Sequence, residues 1–308
     1  MLPHFPEFTP LKLENKAYYE ELISKYPPFS NISFAGLQIW WNLEGHLTVS
    51  SIHQNLIINY HLPFDKDNSG LSLIGNESLD HSIDEIFAYL RKEHQAVKLV
   101  HIPDFVVAKI KNKDAYIFEE ELDYNEYIFD AQALATLEGP RQARTRTQIN
   151  RFRREVENRK VEIKSLDLSS DTTRRELQEA ILAWEEIHPP KNDPDHTEHQ
   201  ALQRTMSHAK LLGIQYLGLY VDGRLHGIVL YNKSQDTKYY TINHLRVDYS
   251  IPYIFDYMVH SLAKQGVEEG VDFLNMEMDL GIESLRKHKQ WLQPVNFFRQ
   301  YTVKPAKI

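Results

Sequence analysis

The sequence predicts an α/β (α+β) fold in which mixed sheets are flanked by helices, and three observations lead there. Hydrophobic spacing alternates between periods: Ile83, Ile86, Phe87 and Leu90 recur at helical intervals, whereas 214–221 and 225–231 are apolar runs of strand length. Those two runs are separated by Asp222-Gly223-Arg224, a hairpin turn in which Gly supplies positive φ. From residue 173 the order is helix, helix, three antiparallel strands, helix, strand. That order places a parallel crossover beside an antiparallel meander.

The elements follow in chain order. Residues 14–25 are helical and end before Pro27-Pro28, which cannot continue a helix. The β-branched stretch 46–62 reads as paired strands. A helix over 82–93 precedes strand-like pieces at 97–102 and 115–118. Tyr127-Ile128-Phe129 is a short strand, and from about Pro140 a basic helix carries Ile149, Phe152 and Val156 on one face. Thr173-x-x-Glu176 has the form of a capping box and opens a helix through Leu177, Ile181 and Trp184, which stops before Pro189-Pro190. A polar loop at 191–197 leads to a helix with Leu202, Met206 and Leu211. A third strand follows at 238–247, a loop at 248–252, a helix carrying Ile254, Tyr257, Met258 and Leu262, and a strand at 271–276. No repeat of 20 to 50 residues and no low-complexity tract interrupts this order.

Composition narrows the function classes. The chain has 308 residues, room for one large domain or two ordinary ones, with 42% hydrophobic and 25% charged residues, as in globular proteins. It has no cysteine, which excludes a disulfide scaffold, a cysteine-zinc site and a thiol nucleophile, and fits a reducing compartment. No apolar run approaches the ~18 residues of a membrane helix. The opening Met-Leu-Pro-His-Phe-Pro-Glu lacks the basic region and apolar core of a signal peptide, so a soluble, cytoplasmic protein is expected. The net charge of −8 argues against a generally nucleic-acid-coating protein, and no DNA partner is expected. Against that background, 141–160 holds eight basic residues and two acidic ones.

Two stretches carry a family resemblance. The first is Tyr127-x6-Leu134-x2-Leu137-x-Gly139, followed by Arg-rich residues and Ile149-Asn150-Arg151-Phe152. The second is Asn275-Met-Glu277-Met-Asp279-Leu-Gly281-Ile-x-x-Leu285-Arg286-Lys287-x-Lys289, continuing through Pro294 to Tyr301-Thr302-Val303. Together they resemble the C-terminal domain of bacterial phosphatidylglycerol lysyltransferases and the DUF2156 proteins grouped with it, over roughly 127–304. The element order is similar to that of the GNAT-type (acyl-CoA N-acyltransferase) fold. The resemblance implies two tandem GNAT-like domains: a degenerate copy over 1–126 and a lysyltransferase-like copy over 127–308. It implies transfer of an aminoacyl or acyl group to an amine or hydroxyl of an anionic acceptor such as phosphatidylglycerol, with aminoacyl-tRNA as donor. CoA-dependent N-acylation and a non-catalytic ligand-binding protein on the same fold are the alternatives. The membrane helices that precede this domain in the full lipid-modifying enzymes have no counterpart here, which leaves peripheral contact with a bilayer. The Gly-rich pyrophosphate loop of acetyltransferases is replaced by Arg246-Val-Asp-Tyr-Ser-Ile-Pro-Tyr-Ile, with no Gly and with Asp248 adding a negative charge. Backbone N–H groups around Val247, Ser250, Ile251 and Tyr253 are the residual candidates for a cofactor anion.

Each candidate site has a functional and a bland reading. Arg141, Arg144, Arg146, Asn150 and Arg151 form either an anion-binding face or a solvated helix face, and Arg suits phosphate because it pairs bidentately. In 275–289, Asn275 and Glu277 end a strand, where α/β ligand sites tend to open. Glu277 or Asp279 would orient or deprotonate the nucleophile, while Arg286, Lys287 and Lys289 would hold a phosphate or carboxylate. Otherwise these charges stitch the strand to the helix. Asn243 and His244, with Tyr239 and Tyr240, lie on a strand and are either site or core; Tyr253 and Tyr257 are candidate proton donors to a leaving group. His196-x-x-His199 beside Asp193, Asp195 and Glu198 can be drawn as a metal site but reads better as a polar loop entering a helix, so no metal is expected. The sequence contains no HExxH, GxSxG, GxxxxGK[ST] or GxGxxG.

Overall fold

A computed structural model of the chain describes residues 2–42, 46–61, 69–187, 197–234, 236 and 238–306. In chain order the elements begin β1 (Thr9–Pro10), α1 (Lys16–Ile23), α2 (Phe34–Gly36), β2 (Thr48–Ile52), β3 (Asn55–Tyr60), β4 (Gly70–Ile74), α3 (Leu79–Lys92), β5 (Leu99–Pro103), α4 (Asp104–Val107) and β6 (Tyr116–Glu120). They continue with β7 (Glu126–Asp130), α5 (Ala131–Thr136), α6 (Ala143–Glu155), β8 (Val161–Ser165), α7 (Asp171–Ile187), α8 (Thr197–Leu212), β9 (Ile214–Val221), β10 (Arg224–Lys233) and β11 (Tyr239–Val247). The last are α9 (Ile254–Glu268), β12 (Phe273–Asn275), α10 (Glu283–Trp291), β13 (Asn296–Phe298) and β14 (Gln300–Pro305). No described helix is long and apolar enough to cross a membrane.

The chain divides into two units. The first comprises Met1–Glu126, Met278–Gly281 and Phe298–Ile308; the second comprises Tyr127–Glu277 and Ile282–Phe297. The first sheet has the order β1-β2-β3-β4-β5-β14-β6. Assigning all of 127–308 to one domain is therefore corrected at the C-terminus. Strand β14 pairs antiparallel with β5 and β6, and Val303 is fully buried in the first core with Leu99 and Ile102. A strand's own residues do not name the sheet it joins.

The second sheet has the order β13-β7-β12-β11-β10-β9-β8. Both units repeat one plan: an antiparallel meander (β2-β3-β4, β9-β10-β11), a helix (α3, α9) and a strand parallel to the last of the meander. That is the GNAT-type order, and it occurs twice.

Local chemistry explains the elements. Asp222 and Gly223 both have positive φ, 53° and 78°, the two-residue turn whose twist suits a hairpin. Arg224 already belongs to β10. Helix α7 starts at Asp171, two residues before the expected cap; Ser170 Oγ accepts from Thr173 N at 3.4 Å, so Ser170 caps it instead of Thr173. Helix α5, short and unanticipated, is capped by Asp130, whose Oδ1 accepts from Ala133 N at 2.7 Å. On α6, Ile149, Phe152 and Val156 are buried in the second core with Phe129, Leu219, Met258 and Leu262, as the helical spacing predicts. Residues 188–196, with Pro189-Pro190, Asp193, Asp195 and His196, lie outside the described residues.

One feature of the second sheet positions the site. Strand β12 pairs with β11 at Tyr239, Tyr240 and Thr241. Strand β11 continues to Val247 beyond the last of these pairs. Beyond Thr241 no residue of β12 pairs with β11, which feeds the loop into α9.

Candidate active site

The loop after β11 uses up the amides that were the candidates for an anion. Asp248 Oδ1 accepts from Ser250 N at 2.9 Å, and Asp248 O accepts from Ile251 N at 3.2 Å. Its Oδ2 lies 2.9 Å from His226 Nδ1. Burial pushes the Asp248 carboxyl up, yet the hydrogen bonds from Ser250 and His226 outweigh it and hold the group below its ordinary value. Val247 is buried in the ladder opposite Gly227. Val247, Ser250 and Ile251 are therefore corrected from cofactor residues to parts of a self-contained turn. Tyr253 remains: its φ of 64° turns the chain into α9 and leaves its side chain at the mouth of a cleft.

That cleft, of ≈ 240 Å³, lies at the N-terminal end of α9. Arg144 and Gln148 of α6 line it, with Tyr253 and Asp256 at the start of α9 and His288 and Trp291 of α10. Burial pushes the Asp256 carboxyl up to about 6, against the pull of its own backbone N–H and of Arg144. Burial pushes the His288 imidazole down to about 4, and the charges of Arg144 and Lys289 add to this. Asp256 Oδ1 and His288 Nε2 are 3.7 Å apart. At neutral pH the carboxyl is ionised and the imidazole neutral, so the two do not form an ion pair. His288 Nε2 and Gln148 Oε1 are buried with no hydrogen-bond partner among the described residues.

The basic helix divides its arginines. Arg144 stacks on Trp291, its guanidinium carbon 3.6 Å from the ring centroid. Arg151 donates to Tyr253 Oη at 3.3 Å. These two face cleft residues. Arg146 does not: it donates to the carbonyls of Leu137 and Gly139 behind α5, which corrects its assignment as a substrate ligand. Asn150 accepts from Arg153 at 3.3 Å on the exposed side, and Arg141 is exposed in the turn before the helix.

The strand-end cluster is partly structural. Asn275 is fully buried and its Oδ1 accepts from Glu277 N at 2.8 Å, so it shapes the turn instead of meeting substrate. Glu277 adopts φ 56°, rare for a residue with a Cβ, and its Oε1 accepts from Asn243 Nδ2 at 3.4 Å. Lys289 is buried and donates to the carbonyls of Met276 (2.7 Å) and Glu277 (3.2 Å), a strut and not an anion ligand. Lys287 pairs with Glu283 at 2.6 Å on the exposed face of α10, and Arg286 is half-buried beside it. Asp279 is fully buried in the first unit and accepts from Gly281 N at 2.9 Å, which removes it from the catalytic set.

Of the aromatic and imidazole candidates, Tyr257 stacks on Phe152 at 4.3 Å between ring centroids, and Tyr239 on Phe273 at 5.0 Å. Tyr240 is buried against Tyr231. His244 is buried 2.8 Å from Thr205 Oγ1, and burial pushes its imidazole down to about 3. Tyr240 and His244 are buried, and Tyr239 and Tyr257 are half-buried against their ring partners. Asp256, His288, Trp291 and Gln148 carry no signal in the sequence that marks them as site residues. An acidic residue in the first turn of a helix is ordinary dipole compensation, and His288 sits between two lysines, so neither stands out by type.

The model of the family described as phosphatidylglycerol lysyltransferase, C-terminal, matches residues 30–304. Among curated proteins no sequence matches the chain. Among solved structures, a conserved protein of unknown function from Bacteroides thetaiotaomicron aligns with TM-score 0.83 and 21% identity, over 99% of this chain and 100% of that one. The C-terminal domain (DUF2156) of a putative lysylphosphatidylglycerol synthetase from Agrobacterium fabrum aligns with TM-score 0.63 and 14% identity, over 94% and 90%. The structure of L-PGS from Bacillus licheniformis aligns with TM-score 0.57 and 19% identity, over 87% of each chain. These likenesses are of fold. With the family match spanning most of its length, the chain belongs to the family of phosphatidylglycerol lysyltransferase C-terminal domains.

Proposed function

We propose that the protein transfers an aminoacyl group from an aminoacyl-tRNA ester to a hydroxyl or amine of an anionic acceptor of the phosphatidylglycerol type. The observation that carries this reading is the cleft at the start of α9, where an arginine stands beside a carboxyl with a pKa near neutrality. Arg144, held flat by Trp291, offers its fork to the acceptor's phosphate. Asp256 takes the proton from the acceptor hydroxyl as its oxygen attacks the ester carbonyl. Backbone N–H groups of β11 beyond Thr241 stabilise the oxyanion. As the tetrahedral intermediate collapses, the bond to the tRNA ribose oxygen breaks and that oxygen takes the proton back from Asp256. No covalent enzyme intermediate is needed. Glu277, steadied by Asn243, orients the donor's amino group, and Arg141, Arg151, Arg286 and Lys287 face the polyanion. A charged tRNA as donor places the protein in the cytoplasm, touching a bilayer peripherally.

A CoA thioester fits less well. The amides of Ser250 and Ile251 are already bonded to Asp248, and the Asp256 carboxyl occupies the first turn of α9, where a pyrophosphate would sit. The test incubates the protein with tRNA charged with radiolabelled lysine or alanine and with phosphatidylglycerol vesicles. Label is expected in the lipid phase, and its transfer is lost in Asp256→Asn and Arg144→Ala. Saturable turnover of acetyl-CoA with no label in lipid would overturn the reading.

A further inference from the structure

In the first unit, His53 stands at the turn between β2 and β3, and His81 and Glu85 lie one helical turn apart on the exposed side of α3. Their ligand atoms all fall within 4.8 Å of one another. The imidazoles of His53 and His81 are stacked, centroids 4.6 Å apart with 22° between planes. His53 Nε2 is 3.5 Å from Glu85 Oε2.

Ser82 holds one nitrogen of His53 and leaves the other toward Glu85. Ser82 Oγ donates its single proton to Ser78 O at 3.1 Å. The same oxygen lies 3.1 Å from His53 Nδ1 and anchors that side of the ring. It also accepts from Asn55 Nδ2 at 3.1 Å. Nε2, on the other side of the ring, faces the Glu85 carboxylate. A cation between them would meet a ring nitrogen and a carboxylate oxygen together. In a tetrahedral zinc site, bonds of ~2.0–2.1 Å place neighbouring ligand atoms about 3.4 Å apart. The His53–Glu85 separation matches that spacing. The hydroxyl bonded to Nδ1 is the second-layer partner that metal-bound imidazoles usually have. His53 also holds the left-handed φ of 45° at a hairpin position where Asn or Gly is the usual choice.

We infer that His53, His81 and Glu85 form a binding site for a divalent transition cation of the zinc class, with water completing the coordination. Two imidazoles and one carboxylate suit Zn(II) and Co(II) and exclude a preference for Mg(II) or Ca(II), which take oxygen ligands. A metal there clips the β2–β3 turn to α3, and the site shares no residue with the cleft of the second unit.

The experiment titrates metal-free protein with ZnCl2 by calorimetry and follows melting with and without the ion. One equivalent is expected to bind saturably and raise the melting temperature. His81→Ala and Glu85→Gln should each weaken binding by at least about tenfold. His94→Ala, at an exposed histidine outside the cluster, controls for the other imidazoles of a chain that has 15 and should bind as wild type. Co(II) should give the visible absorption of a tetrahedral site in wild type and lose it in both ligand variants. Absence of saturable binding in wild type would overturn the inference. So would variants that bind as tightly as wild type.

Discussion

His288 Nε2 lies 3.7 Å from Asp256 Oδ1, and burial displaces the two groups toward their neutral forms in opposite directions on the pH scale. The carboxyl is pushed up to about 6 and the imidazole down to about 4. Ordinarily the imidazole is the stronger base of such a pair; here the carboxylate is. A carboxylate with a pKa near the working pH can take a proton from a hydroxyl and return it to a leaving oxygen, which acyl transfer between two hydroxyls requires.

Asp256→Asn should lose activity and gain stability. An ionised carboxylate in this cleft costs the fold on the order of 1–3 kcal/mol at neutral pH, and the amide removes that cost. Transfer should fall by about a hundredfold or more, the usual effect of losing a general base. Chemical denaturation and turnover on the same preparation check both halves. A variant that is less stable and still active would show that Asp256 is only a structural cap for α9.

The pH dependence of stability follows with opposite signs for the two groups. Asp256 binds its proton more tightly folded than unfolded, so its contribution is fully present below its ordinary value of 3.8 and is lost as pH rises through about 6. His288 binds its proton more weakly folded, so its contribution is present above its ordinary 6.5 and is lost as pH falls toward about 4. Between those limits the two changes oppose each other. Asp256→Asn should therefore uncover a steeper loss of stability from pH 6.5 downward, and His288→Asn should flatten it. Melting temperatures across that range decide the matter; parallel profiles for both variants would refute the assignment.

The second unit was the more legible in sequence because its signals are local. The hairpin at Asp222-Gly223 and the stripe of Ile149, Phe152 and Val156 are set by neighbours a few residues away, and both are as read. What escaped is what long-range packing decides. The charges of 275–289 read as one cluster, yet Asp279 folds into the first unit while Lys289 turns inward to the carbonyls of Met276 and Glu277. Spacing gives a residue's face on its own element and says nothing of the carbonyls it will meet. The cleft shows the same limit. Arg144, Asp256 and His288 come from three helices far apart in the chain, and each is unremarkable in its own segment.

Lys289→Met separates a strut from a ligand. Removing the ammonium leaves the Met276 carbonyl without this donor, while the Glu277 carbonyl keeps the Tyr127 N–H at 3.1 Å, at about 1–3 kcal/mol for the buried group left unpaired, offset in part by no longer burying a charge. The expected result is a clear drop in the urea midpoint with KM for the anionic acceptor unchanged in the folded fraction. A raised KM at unchanged stability would return Lys289 to the substrate.

Arg144→Lys tests whether the cleft recognises an anion by geometry or by charge alone. Arg144 lies flat on Trp291, its guanidinium carbon 3.6 Å from the ring centroid, which leaves the planar fork preorganised. A lysine keeps the charge but loses both the stacking and the paired donors. Acceptor affinity should therefore fall about five- to tenfold with Lys and further with Ala, at unchanged melting temperature, since the side chain is exposed on α6. Trp291 reports the change directly, because its fluorescence senses removal of the stacked cation. If Lys binds the acceptor as well as Arg does, and raised salt abolishes binding by both, the attraction is a diffuse property of the basic helix rather than a bidentate contact.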